Sequence, residues 1–192
     1  MSRRTGRFFI KLLSTPMSAS SKKAEISFLR RLLAVRQFRP DPLPDEVVND
    51  ILEVVRWSGS ASNQQPWELI LVGDRDMLRQ LAAAEGFAGH VAGAALAIVL
   101  VMSGRRPEQD TFDEGRLSER IMLAALAHDV GSSIGWFKGA GRNRAKELLD
   151  IPADRLVRTV ISLGYPTEAA ARRGRRRKPM AEMIYRERYG QR

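Results

Sequence analysis

Between Trp57 and Trp67 the chain reads Ser58-Gly59-Ser60-Ala61-Ser62-Asn63-Gln64-Gln65-Pro66, which gathers hydroxyls and side-chain amides without a formal charge. Such groups can exchange hydrogen bonds with a neutral polar heterocycle. The same composition also suits a plain loop built from Asx and Ser turns. Near the C-terminus, Arg172, Arg173, Arg175, Arg176, Arg177 and Lys178 could grip a phosphate through charge-assisted, bidentate hydrogen bonds. A solvated or nucleic-acid-binding basic run has the same appearance. Gly139-Ala140-Gly141, ahead of a helix, could bring backbone N–H groups to a ligand.

Other chemistries have little to work with. The chain has no cysteine, so thiolate catalysis and cysteine-ligated metals are excluded, and only His90 and His128 remain as imidazole ligands. Both lie far in sequence from the Ser-rich loop, which leaves a hydrolase reading weak. Asp110, Asp113 and Glu114 are the only carboxylate cluster and read as a solvated loop rather than a metal site.

Helices and strands must position these groups. Ile26, Leu29 and Leu33 recur at helical spacing and mark a first helix. After the proline-rich Phe38–Pro44 stretch, Asp45-Glu46 opens a second helix with Val47, Val48, Ile51, Leu52 and Val55 on its apolar side. Trp67 to Val72 reads as a strand. Beyond it the pattern predicts a helix around 75–85, a buried strand at 94–102, helices at about 115–130 and 142–149, and a strand at 157–163. Several helices with few strands and no regular βαβ alternation suggest α+β.

The 192 residues suit one domain, and 44% apolar with 28% charged residues are globular values. The net charge of +10 is uneven. Residues 1–23 carry six basic groups and no acid, residues 167–192 carry nine basic groups and three acids, and the intervening 24–166 is −2. The positive charge belongs to the ends: a basic N-terminal arm over 1–23, expected to be flexible, and the tail of a domain over 24–192. The Val91–Met102 apolar stretch is too short for a bilayer, which needs about 20 residues. Phe8, Phe9, Ile10, Leu12 and Leu13 are interrupted by Lys11, so the protein reads as soluble, with no membrane partner.

Three motifs then occur in order: Arg36-Gln37-Phe38-Arg39-Pro40-Asp41-Pro42-Leu43-Pro44, Ser60-Ala61-Ser62-Asn63-Gln64-Gln65-Pro66-Trp67, and Leu163-Gly164-Tyr165-Pro166. Together with Met180-Ala181-Glu182-Met183 they resemble the FMN-dependent nitroreductase family over about residues 26–190. The resemblance implies an α+β fold with a central, mainly antiparallel sheet flanked by helices, in an intertwined homodimer with FMN at the interface. It also implies hydride transfer from NAD(P)H to a nitro, quinone or related small-molecule acceptor by a ping-pong mechanism, in the cytoplasm. The chemistry would reside on the flavin, with no catalytic acid or base and no metal.

By the same resemblance, Arg36 would contact the flavin phosphate or ribityl chain. Ser60, Ala61, Asn63 and Gln65 would reach the flavin from the partner subunit. Phe137, Lys138 and Gly139 would place an amide N–H near flavin N5, and Arg176 with Lys178 would hold the phosphate. One departure stands out: Leu32-Leu33-Ala34-Val35-Arg36 replaces the family's early Arg-Arg-Ser-x-Arg, losing charge and a hydroxyl. That leaves room for weaker flavin binding, a deazaflavin, or a member without reductase activity. The competing reading from another class is a nucleic-acid-binding protein driven by the two cationic ends.

Overall fold

The computed structural model describes residues 19–171 and 176–191. Four strands are present: β1 (Trp67–Val72), β2 (Leu96–Met102), β3 (Gly131–Trp136) and β4 (Leu156–Gly164). They form one antiparallel sheet in the order β1-β2-β4-β3. Ala97 through Met102 are all buried, because both faces of this inner strand are covered. A strand so placed reads as an apolar run instead of an alternation.

Seven helices accompany the sheet among the described residues: α1 (Ala19–Arg30), α2 (Asp45–Arg56), α3 (Arg75–Ala82), α4 (Pro107–Ala127), α5 (Gly139–Leu148), and the short α6 (Glu168–Ala171) and α7 (Met180–Met183). Leu78, Leu81 and Ala145 from α3 and α5 pack on one sheet face with Val99, Val160 and Phe137. Ile51, Val55, Leu117 and Ile121 from α2 and α4 pack on the other with Ile98, Leu100, Ile161 and Leu163. The expected antiparallel α+β architecture is therefore observed. Local signals set the helix starts: Asp74 accepts the Met77 amide at 2.8 Å as the cap of α3, and Pro107 opens α4 where its missing N–H costs nothing.

Several expectations are corrected. The first helix ends at Arg30, and Leu33 lies beyond it in an extended segment whose Val35 amide donates to the Ser132 carbonyl at 2.8 Å. This approach is close enough that a Cβ on Gly131 would lie 2.8 Å from the Val35 Cβ, so glycine is required there. β3 has no counterpart among the expected strands. α4 begins at Pro107, so Asp110, Asp113 and Glu114 are helical and buried, not a solvated loop. Each has a protein partner. Asp110 accepts from Ser103 Oγ and the Gly104 amide, Asp113 from the Ala61 amide and Arg116, and Glu114 from Arg158. No group of acids and histidines suited to a metal ion occurs among the described residues, and no helix there is long and apolar enough to cross a membrane. Residues 1–18, most of the expected basic arm, lie outside the described residues, as do Arg172, Arg173 and Arg175.

Candidate functional site

The polar loop begins where α2 ends at Arg56 and leads into β1. Ala61–Asn63 form a single 3₁₀ turn, and Ser62, Asn63 and Gln65 have φ of 51°, 54° and 48°. Three non-glycine residues in the left-handed region within four positions is an unusual concentration, since each costs about 1–2 kcal/mol. Internal bonds offset part of that cost: the Gln65 amide donates to Ser60 Oγ at 2.8 Å, and Gln65 Nε2 donates to the Asn63 carbonyl at 3.3 Å. Gln65 Nε2 also donates to Asn63 Oδ1 at 3.4 Å, which links the two exposed side chains. Trp67, at the start of β1, packs against the α2–α4 side of the core.

Arg36 lies at the opposite edge of the sheet. It is exposed and sits on the extended segment between the Ala34–Ser132 and Phe38–Pro166 bridges. Nearby, His90 Nδ1 is 2.8 Å from Ser162 Oγ. Burial lowers the His90 pKa, the nearby Ile134 backbone opposes that shift, and the Arg36 charge adds to the lowering, so the neutral imidazole is favoured. His90 Nε2, Ser132 Oγ and Ser133 Oγ are buried without a protein partner among the described residues. Ser133 is the central residue of a Gly-x-Ser-x-Gly spacing at 131–135. It lies inside the extended β3 and not on a strand-to-helix turn, so it forms no nucleophile elbow.

Lys138 and Gly139 follow β3 at this same edge. The Lys138 amide donates to the Glu85 carbonyl at 2.8 Å, and the Ala140 amide donates to Glu85 Oε2 at 3.0 Å. The Phe137 and Gly141 amides are taken by the Arg158 and Lys138 carbonyls. The Lys138 and Phe137 N–H groups are therefore both occupied within the fold. The Gly139 amide has no hydrogen-bond partner among the described residues.

The C-terminal cations lie after the short α6 and before α7. Arg176, Arg177 and Lys178 are all exposed, and of the three Arg177 lines a cleft of about 570 Å³ with Arg30, Leu32, Leu33, Ala34 and Glu119. In extended backbone, successive residues face opposite ways, so a shift of one position changes which cation turns toward the cleft. The cleft borders the segment where the early basic motif is missing, and Arg30, at the end of α1, supplies a second positive group. Sequence reasoning named Arg177 within the basic run and Asp113 as part of a solvated acidic cluster, without the contacts either makes, and it did not mark Glu85 at all.

The chain matches the nitroreductase family model over residues 33–102. A protein of Archaeoglobus fulgidus provisionally named an NADH dehydrogenase/NAD(P)H nitroreductase is 33% identical over 141 residues, covering 70% of this chain and 81% of that protein. The NADH dehydrogenase of Thermus thermophilus is 26% identical, covering 70% and 83%. Among solved structures, one from Desulfovibrio desulfuricans, provisionally titled a nitroreductase in complex with FMN, is 25% identical with a TM-score of 0.71, covering 85% of this chain and 96% of that one. With the sheet order, the Ser60–Trp67 loop and the archaeal relative in agreement, the chain belongs to the nitroreductase family of oxidoreductases.

Proposed function

We propose that the protein binds FMN between two copies of the chain and uses NAD(P)H to reduce a small nitro, quinone or related acceptor by alternating half-reactions. The observation that carries this reading is the separation of the site's two halves. The rigid polar loop enters β1 at one edge of the sheet, while Arg36, Lys138 and Gly139 flank β3 at the other. Three strand spacings, about 14 Å, separate those edges. A single flavin ring contacted by both sets of residues is best served by one set from each of two protomers. Exposed apolar side chains support association: Ile26 and Leu29 on α1, Met180 and Met183 on α7, and Ile184 are all at least 47% exposed in the single chain.

The residues present fit the cofactor. Unpartnered polar atoms at the β3 edge, including Ser133 Oγ, His90 Nε2 and the Gly139 amide, suit a ligand rich in hydrogen-bonding atoms. Arg30 and Arg177 would hold the phosphate, and Arg36 the phosphate or ribityl chain. Gly139, instead of Lys138, would direct its N–H at the reactive end of the ring, where a fixed donor stabilises developing negative charge. Ser60, Ala61, Asn63 and Gln65 would close over the ring from the partner. When bound, FMN supplies the hydride chemistry, accepting from the nicotinamide and delivering to the acceptor. The chain positions the reactants and keeps water out. We place this activity in the cytoplasm, where NAD(P)H is supplied.

The alternation of half-reactions is tested by mixing the FMN-loaded protein with NADH or NADPH under anaerobic conditions without acceptor. Bleaching of the flavin, followed by recovery on adding nitroarene or quinone, is the expected sequence. Bleaching that occurs only with acceptor present contradicts it.

A further inference from the structure

The three buried acids of α4 do different jobs, and one of them reaches the polar loop. Asp113, its side chain 4% exposed, accepts the Ala61 amide at 3.1 Å through Oδ2 and Arg116 Nη1 at 3.2 Å through Oδ1. Arg116 in turn lies against Gly59, where a Cβ would be 2.6 Å from Nη2. One turn further along, Arg120 Nη1 donates to the Trp57 carbonyl at 3.3 Å. Positions 113, 116 and 120 share a helix face. That face grips residues 57–61 immediately before the left-handed Ser62, Asn63 and Gln65. Non-glycine residues persist in that conformation only when their surroundings impose it. Within the loop the bonds are local, so they cannot fix its placement relative to the fold. The Asp113 contact spans 52 residues and can.

We propose that Asp113 is a positioning residue: its buried carboxylate anchors the Ala61 amide and so holds the turn that presents Ser60, Asn63 and Gln65. What the turn presents them to rests on the FMN reading; the anchoring itself does not. A loop that is competent for only a fraction of the time weakens apparent affinity by that fraction. Losing a hydrogen bond to a charged group therefore lowers FMN affinity about tenfold although Asp113 itself touches no cofactor.

Two substitutions delete the same bond from opposite ends. Asp113→Ala removes the acceptor. Ala61→Pro removes the donor at a position that tolerates it, because Ser60 is extended (φ −138°, ψ 164°) and Ala61 opens the turn. Amide hydrogen exchange of residues 58–65 in flavin-free protein, FMN affinity, and the visible circular dichroism of bound flavin are compared. Each single variant is expected to speed exchange in the loop but not in β2, to weaken FMN about tenfold and to alter the dichroism, with the double variant no worse than either. Asp113→Asn, which keeps an accepting oxygen, restores most of the affinity. Additive effects in the double variant, or wild-type exchange and affinity in Ala61→Pro, overturn the proposal. Ala61→Pro carries the test if Asp113→Ala does not fold. Should the wild-type chain take up no FMN, the cofactor reading falls, and the exchange comparison still decides the role of Asp113.

Discussion

Arg30, the last residue of α1, and Arg177, in the C-terminal basic run, line one cleft beside Leu32, Leu33 and Ala34. The resemblance puts the family's early cations at 32 and 33, where this chain has leucines, and on the FMN reading Arg30 and Arg177 would supply positive charge beside them from two other parts of the chain. Arg30→Ala with Arg177→Ala should weaken FMN about tenfold or more. Riboflavin, which lacks the phosphate, should bind both proteins alike. Arg176→Ala with Lys178→Ala, at exposed positions, should change FMN affinity by no more than about twofold. Fluorescence titration with both ligands measures all three.

Asn63 combines a strained backbone with a side-chain amide, and the two can be separated. Asn63→Gly keeps the φ of 54° without penalty and removes only the amide. The stability of Asn63→Gly should match the wild type, while flavin reduction by NADPH slows about tenfold. Asn63→Ala should in addition lower stability by about 1 kcal/mol, since alanine disfavours that conformation. Urea unfolding and rapid-mixing absorbance separate the effects.

Glu85 caps α5 by accepting the Ala140 amide, while its carbonyl takes the Lys138 amide. Glu85→Ala loses the side-chain cap and should cost about 1 kcal/mol in urea unfolding. Glu85→Gln, which keeps an acceptor, should recover most of it.

How much of this was readable in advance depended on whether a local pattern carried the information. α2 and β2 were legible because an amphipathic period and an unbroken apolar run are written directly into 45–56 and 96–102. β3 was hidden by Gly131 and Gly135, poor strand formers by propensity. They are there because Val35 and Val160 pack where a Cβ would fall, at 2.8 and 2.9 Å. The acids of α4 looked solvated because their partners, Ala61, Ser103 and Arg158, are distant or arrive from other elements. In the site, the composition of the 60–65 loop was legible, but its left-handed turn and its anchor were not. The basic run was legible as a run, but which of its cations borders the cleft was not, because successive residues of an extended chain face opposite ways.

His90 gives the fold a pH dependence. Burial, reinforced by Arg36, holds its pKa below the ordinary 6.5. The unfolded chain then takes up the proton first, so the His90 contribution is complete above pH 6.5 and is lost as pH falls from there toward the native pKa. The urea midpoint should drop across that interval, and His90→Gln should flatten the drop.

The central claim is that this chain holds FMN between two protomers. The direct measurement is the visible absorbance of the purified protein after FMN addition and exhaustive dialysis, with mass from light scattering on the same sample. Retained flavin bands, one FMN per chain, on a particle of two chains are expected. A colourless protein after dialysis, or flavin held by a single chain, would contradict it.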